Sequence, residues 1–407
     1  MAADVYTPKQ RELLRLWQHG KLRRINLLEG SVRSGKTWIS LVVWAFWVAT
    51  MPRDGNYLMV AKTLTSLRRN CLDLLQELVG TKYFSYSLSK KEARLFGRLV
   101  YLEGVNDARA ESKIRGMTLQ GAYCDELTLF TEDFFSMLLS RLSCPGAKLI
   151  ATTNPDSPQH WLKVKYMDRA AELDMLIMKF LIEDNTFLDP EYVENLKKEY
   201  VGVFYDRFIL GQWVVAEGRV YPMFTDNPDR FILRGTTAGM DGQFYISCDY
   251  GTINPLSLGL WCVHGKQAIR IKEYYWDSRR EGHQKTDEEY YADLERLAHG
   301  YYIRRVIVDP SAASFIECIR RHGKFRVWEA DNDVLNGIRV TASLLNAGMV
   351  KVHESCKNAI REFGLYRWDE KKNSDAVLKE NDHAMDDIRY FCYTVLAREF
   401  RWAEWRG

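Results

Sequence analysis

The chain has 407 residues, of which 46% are hydrophobic and 27% charged, and a formal net charge of +3. The length implies two or three domains. The composition is globular and excludes a disordered or low-complexity chain, and so mild a basic excess gives no argument of its own for a nucleic-acid partner. The eight cysteines are scattered with no C-x-x-C pair, which fits a reducing compartment better than a disulfide framework or a zinc site. No signal peptide is expected at the N-terminus. The longest apolar stretch, residues 39–51, is too short for a membrane span. The expectation is a soluble, cytoplasmic protein.

Residues 6–19, YTPKQRELLRLWQH, predict a helix with Thr7 as N-cap and Pro8 in its first position. Gln10 lies one turn in, where its carboxamide either reads an adenine edge or is a solvated helix residue. Residues 26–42, NLLEGSVRSGKTWISLV, follow as apolar strand, glycine loop and helix. Gly30, Gly35, Lys36 and Thr37 fall as G-x-x-x-x-G-K-T, the phosphate-binding pattern in its proper context. Between the glycines, the backbone N–H groups of Ser31, Val32, Arg33 and Ser34 can turn onto a triphosphate, with the helix N-terminus aimed at the same oxygens. Lys36 is expected on the β- and γ-phosphates and Thr37 on Mg²⁺, so ATP and Mg²⁺ are the expected cofactors. Arg33 can swing onto the γ-phosphate as an arginine finger in cis. Arg141, on a later helix, is either a finger offered to a neighbouring subunit or a surface salt-bridge residue.

Residues 56–61 predict a buried strand, 63–78 an amphipathic helix with Arg68 and Arg69, and 84–103 two short strands turning at Gly97. Residues 119–126, LQGAYCDE, form an apolar strand ending in two acids. Asp125 is expected to serve Mg²⁺ and Glu126 to act as general base. Residues 148–155, KLIATTNP, end a third strand in Thr152, Thr153 and Asn154, which either sense the γ-phosphate or cap the next helix. All three motifs fall at strand carboxyl ends, where open α/β sheets bind ligands. Residues 156–216 are expected to form a helical linker subdomain of an ATPase domain spanning 1–216, and the Pro- and Gly-bearing stretch 217–242 to be a linker.

In the last part, residues 243–407, residues 244–250 form an apolar strand with Asp249 near its end. Strands over 256–263 and 267–275 turn at His264-Gly265-Lys266, a helix is expected over 286–298, and residues 304–310 form a buried strand ending in Asp309. Residues 382–397 predict a helix with Asp386 and Asp387 in its first turns and His383 one turn before Asp386. A meander, a helix, an acid-bearing strand and a late acidic helix make an RNase H-like order in which Asp249, Asp309 and Asp386 converge at one end of a sheet. Carboxylates with little nitrogen or sulfur suit two Mg²⁺ or Mn²⁺ ions, which can drive phosphodiester hydrolysis. His383 either assists acid–base chemistry or contacts a phosphate, or is a surface residue.

A P-loop ATPase followed by an RNase H-like nuclease resembles the large terminase subunit of tailed bacteriophages. The resemblance rests on GSVRSGKT, YCDE, ATTNP, SCDYG, VDPS and NDHAMDDIRY and covers nearly the whole chain. It implies an additional-strand-type α/β ATPase, a motor that translocates double-stranded DNA into a procapsid, and a nuclease that cuts concatemers. It implies that Gln10 contacts adenine, that residues 152–154 couple hydrolysis to movement, and that Asp387 is an extra metal ligand beside the Asp249–Asp309–Asp386 triad. Many relatives carry a small residue in place of Asp387. Residues 368–381 look like a hairpin beside the nuclease cleft. The implied partners are DNA, a small terminase subunit and the portal protein. The implied assembly is a pentameric ring during packaging, with a monomer in solution, in the bacterial host's cytoplasm and without a membrane. A competing enzyme reading is a helicase or repair ATPase fused to a nuclease, but no helicase motifs follow Asn154. A non-enzymatic prophage remnant sits poorly with acids at every expected site.

Overall fold

The computed structural model describes residues 5–52, 54–105, 110–251, 254–372 and 375–399. Two compact units divide near Ala216: the first runs to Lys198 and includes Gly202–Val215, and the second holds Glu199–Val201 and the chain from Ala216. Among the described residues no helix is long and apolar enough to cross a membrane.

The first unit is built on eight strands: β1 (Ile25–Gly30), β2 (Tyr57–Ala61), β3 (Phe84–Ser87), β4 (Glu92–Leu95), β5 (Arg98–Gly104), β6 (Gly121–Cys124), β7 (Lys148–Thr153) and β8 (Met175–Phe180). They lie in the order β3-β4-β5-β2-β6-β7-β1-β8. From β5 to β8 every pairing is parallel, and β3 and β4 add an antiparallel edge. β1, β2 and β6 are buried at every residue, as strands covered on both faces must be. Separate apolar cores cover the two faces, and helix Lys36–Thr50 lies in one of them.

Two expectations change here. Residues 84–103 form three strands, because turns fall both at 88–91 and at Phe96–Gly97, where both residues have positive φ. The stretch 156–216 is not wholly helical. Met175–Phe180, MLIMKF, pairs along all six residues of β1 and closes the sheet. Its apolar residues find a place on a sheet edge that the local Lys- and Tyr-rich composition does not announce.

The second unit holds β9 (Ile232–Leu233), β10 (Gln243–Asp249), β11 (Leu256–His264), β12 (Gln267–Trp276), β13 (Ile303–Val308), β14 (Val327–Glu329) and β15 (Val350–His353). Their order is β14-β13-β10-β11-β12-β15-β9. β10, β11 and β12 form an antiparallel meander, and β13 and β14 extend it in parallel from β10. β9, inside the stretch expected to be a linker, pairs with β15. Helices Asp287–Ala298 and Ala313–His322 cover one core of this sheet. The late helix His383–Phe391 packs against β10 and β11 and continues through a π-turn at Cys392–Leu396. In the stretch 368–381, Trp368 bridges Val377 in antiparallel fashion; residues 373 and 374 lie outside the described residues.

Candidate active sites

The glycine loop leaves β1 at Gly30, where a Cβ would lie 1.9 Å from the Phe180 carbonyl oxygen on the neighbouring strand. Only glycine permits that approach at its φ of 131°. Arg33 also has a left-handed backbone, φ 56°, and its carbonyl accepts from Asn185 Nδ2 at 2.7 Å. Ser31 N–H donates to Phe180 O and Val32 N–H to Phe208 O, so these two amides anchor the loop to its own unit. Ser34 Oγ donates to Ser31 O at 2.9 Å. Ser31 Oγ is buried and has no hydrogen-bond partner among the described residues, a polar atom available to a phosphate.

Lys36 Nζ donates to Ser31 O at 2.9 Å and to Asn154 Oδ1 at 2.7 Å. The bond to Asn154 joins the loop to the tip of β7. Burial pulls the Lys36 ammonium down to about 8, against the charges of Glu126, Asp125 and Glu29. Those acids stand at the end of β6 and in β1. Glu126 adopts φ 54°, the left-handed bend that turns the chain after Asp125, and its N–H donates to Thr152 Oγ1 at 3.2 Å. Asp125 is fully enclosed. Thr152 Oγ1 donates to its Oδ1 at 2.8 Å and Asn70 Nδ2 to its Oδ2 at 3.0 Å. Both donors are neutral and bring no counter-charge, a setting that fits a hard cation held with Thr37. Thr153 Oγ1 accepts from Thr128 N–H at 3.1 Å and braces the turn after Glu126.

Gln10 is buried in a capping box: its Oε1 accepts from Thr7 N–H at 3.0 Å, and its Nε2 lies 3.5 Å from Gly35 O. It lines a cavity of about 360 Å³ with Val5, Gly35, Trp38, Asn185 and Phe187. Arg141 stands apart from this cluster. Its Nε donates to Ser140 Oγ at 3.1 Å in the last turn of helix Glu132–Arg141.

In the second unit, helix His383–Phe391 brings its acids to the ends of β10 and β13. Asp249, at the end of β10, accepts from His383 Nδ1 at 2.8 Å. Burial pushes the Asp249 carboxyl up to about 7; the His383 hydrogen bond works against that and Asp386 adds to it. Burial pulls His383 down, but the hydrogen bond and charge of Asp249 outweigh it and the imidazole rises. Asp309 accepts from Tyr390 OH and, at 2.7 Å, from Ser311 N–H. Those bonds overcome its burial and hold its carboxyl below the usual range. Asp386 Oδ1 accepts from Arg389 Nη2 at 3.0 Å and its Oδ2 from Lys379 Nζ at 3.1 Å. The three acids occupy one end of the sheet and share the partners of one helix. They do not close into three ligand atoms within 4.8 Å of one another. Their donor chemistry, carboxylate oxygen with one imidazole, fits Mg²⁺ or Mn²⁺.

Asp387 requires a correction. It is fully buried, and both its oxygens are taken by Arg270, with Ser247 Oγ at 2.8 Å on Oδ1 and Ser257 on Oδ2. Adjacent positions on a helix face about 100° apart, so Asp386 lies among the site's charged groups while Asp387 enters the sheet's interior. It is an interior ion-pair residue and not a metal ligand.

The structural comparison with known proteins covers the whole chain. The large terminase of a thermophilic bacteriophage is 36% identical, matches 97% of this chain and 100% of its own, and superposes with a TM-score of 0.91. This chain belongs to the large terminase family. The same thermophilic phage terminase in complex with ATP-gamma-S matches 96% of this chain and 99% of its own, with a TM-score of 0.89. A family model, "Terminase large subunit, T4likevirus-type, N-terminal", matches residues 27–225. The large terminase subunit of Escherichia phage T5 is 25% identical over 128 residues, an alignment spanning 30% of this chain and 29% of that one.

In this large terminase the residues missed by sequence reasoning are those brought in from a distance. Asn70 reaches Asp125 from a π-turn, Arg68–Leu72, 55 residues earlier in the chain. Trp38, Asn185 and Phe187 line the cavity beside Gln10. Lys379 and Asp382 flank Asp386, with Lys379 Nζ 3.3 Å from Asp382 Oδ2. Asp382 alone was open to inspection, since it stands in NDHAMDD one turn before Asp386.

Proposed function

We propose that the first unit, which runs to Val215 apart from Glu199–Val201, is the packaging ATPase and that the second, from Ala216, is its nuclease, so that most of the stretch expected as a linker belongs to the nuclease unit. ATP binds with its phosphates over residues 30–37 and its base in the cavity beside Gln10, where Trp38 and Phe187 offer aromatic faces. Thr37 and Asp125 would hold Mg²⁺, which supplies charge neutralisation at the phosphates. Glu126 orients and deprotonates the attacking water, Arg33 steadies the γ-phosphate, and Asn154 with Thr152 and Thr153 registers its loss. Arg141, whose Nε donates to Ser140 Oγ and not to this cluster, is left to act on a neighbouring subunit.

In the nuclease, Asp249, Asp309 and Asp386 would hold Mg²⁺ or Mn²⁺, which supplies water activation and leaving-group stabilisation. His383 holds Asp249 in place and carries a proton at Nδ1. Lys379 places a cation beside Asp386 where a DNA phosphate can dock. The substrate is double-stranded viral DNA. The partners are the small terminase subunit and the portal protein, the working form is a ring of five, and the place of action is the cytoplasm of the bacterial host.

The observation that carries the ATPase reading is the buried Lys36 held between Ser31 O and Asn154 Oδ1 with Asp125 and Glu126 around it. Paired assays test the division of labour. Lys36→Ala is expected to lower ATP hydrolysis by about 100-fold or more while Mn²⁺-dependent plasmid cutting persists. Asp309→Ala is expected to do the reverse. If both variants, folded, lost both activities, two separate sites would be the wrong description.

A further inference from the structure

A mixed cluster of sulfur, nitrogen and carboxylate donors lies in the second unit, where two helices pack. Helix Ala313–His322 carries Cys318 and His322, four residues apart and so on one face. Helix Asp287–Ala298 carries Glu288 in its first turn. The two helices pack together. One ligand atom each from Glu288, Cys318 and His322 lies within 4.8 Å of the other two, the only such trio of His, Cys, Asp and Glu among the described residues. Zinc bonds of about 2.0–2.3 Å in a tetrahedron put donors roughly 3.3–3.8 Å apart, so the trio is close to closed.

The surroundings hold these groups in place. The Tyr291 ring stacks on the His322 imidazole at 3.8 Å with an interplanar angle of 7°, which fixes the ring. His322 Nε2 already faces Glu288 Oε2 at 2.7 Å, while Arg321 donates to the other carboxylate oxygen at 2.5 Å and so orients it. Cys318 is buried while His322 and Glu288 are exposed, so an ion reaches the site from solvent and its fourth position stays open to water. The C-terminal end of helix Ala313–His322 adds a partial negative charge at His322.

We propose that Glu288, Cys318 and His322 bind one divalent transition-metal ion of the zinc type and clamp the two helices together. The donor set of sulfur, nitrogen and oxygen selects zinc or cobalt over magnesium, unlike the carboxylate-dominated, sulfur-free set at the nuclease centre. Binding forms a metal–thiolate bond and releases the Cys318 proton to solvent. The scattered cysteines concealed this site, because two ligands come from one helix at four-residue spacing and the third from another helix.

The test is a Co²⁺ titration of the full chain, followed at the thiolate-to-cobalt charge-transfer band, which carboxylate and imidazole ligands cannot produce. One equivalent should produce a thiolate-to-cobalt charge-transfer band and tetrahedral visible bands, and Zn²⁺ should bleach both. Cys318→Ser should abolish the charge-transfer band. His322→Ala, a change at an exposed position that keeps the buried thiol, should weaken Co²⁺ binding at least about tenfold with Mn²⁺-dependent cutting unchanged. Absence of the band in the wild type, its survival in Cys318→Ser, or full affinity in His322→Ala would each overturn the assignment.

Discussion

Burial sets the behaviour of Lys36. It pulls the ammonium down to about 8, while Glu126, Asp125 and Glu29 hold it up. In the proposed nucleotide complex, triphosphate oxygens would add negative charge at the same nitrogen and raise its pKa again. Above pH 8, therefore, the free protein has partly lost this proton and the nucleotide-bound protein has kept it, so binding takes a proton up. At pH 8.5 the uptake should be about 0.7 proton, and at pH 6.5 close to zero. Nucleotide affinity should fall as pH rises through about 8. Calorimetry in buffers of different ionisation enthalpy reads the uptake directly, and proton release at pH 8.5 would contradict it. The same scale shows where sequence reading stops. Asp386 and Asp387 are neighbours of one type, and nothing in DDIRY says which enters the interior. The answer lies in Arg270, 117 residues away, whose guanidinium is spoken for by Asp387.

At the level of elements, that ion pair ties the late helix to the meander. Arg270 rises from β12 and reaches across β11 at Gly259, where a Cβ would lie 1.8 Å from its Nη1. Three elements thus meet at one fully buried guanidinium. Arg270→Ala strands the Asp387 charge in the interior and should destabilise the second unit by about 3–5 kcal/mol, measured by denaturant unfolding. A loss under about 1 kcal/mol would mean that Asp387 sheds its charge without cost. Strands with a clear apolar run, such as β1, β6, β7 and β13, could be read from the chain. β8 could not, because its place depends on the open edge of β1. The π-turn at Arg68–Leu72 was equally hidden: one extra residue in a helical turn re-aims Asn70 onto Asp125, and no periodicity of 3.6 marks it.

For the molecule as a whole, each unit has a sheet and a core of its own. Heating should therefore give two transitions, and ATP analogue at 100 times its Kd should stabilise the first unit's by about 2.7 kcal/mol. Lys36→Ala should remove that shift. A single transition moved as one by nucleotide would refute separate folding. Both architectures were legible from motif order, since a loop between strand and helix and acids at strand ends are local patterns. The ligand set at the nuclease centre was less so, because it depends on which side chains a helix presents. The bond between Lys36 Nζ and Asn154 Oδ1, at 2.7 Å, makes Asn154 an internal competitor for the nucleotide. At the proposed nucleotide site, a triphosphate would have to win the lysine from it. Asn154→Ala should bind ADP several-fold to about tenfold more tightly yet hydrolyse ATP more slowly, as measured by fluorescent-nucleotide titration and phosphate release. Weaker ADP binding would show that Asn154 assists the nucleotide and does not oppose it. On the proposed function, the tip of β7 would hold the lysine between turnovers and make product easier to shed, a useful property in a motor that must fire repeatedly.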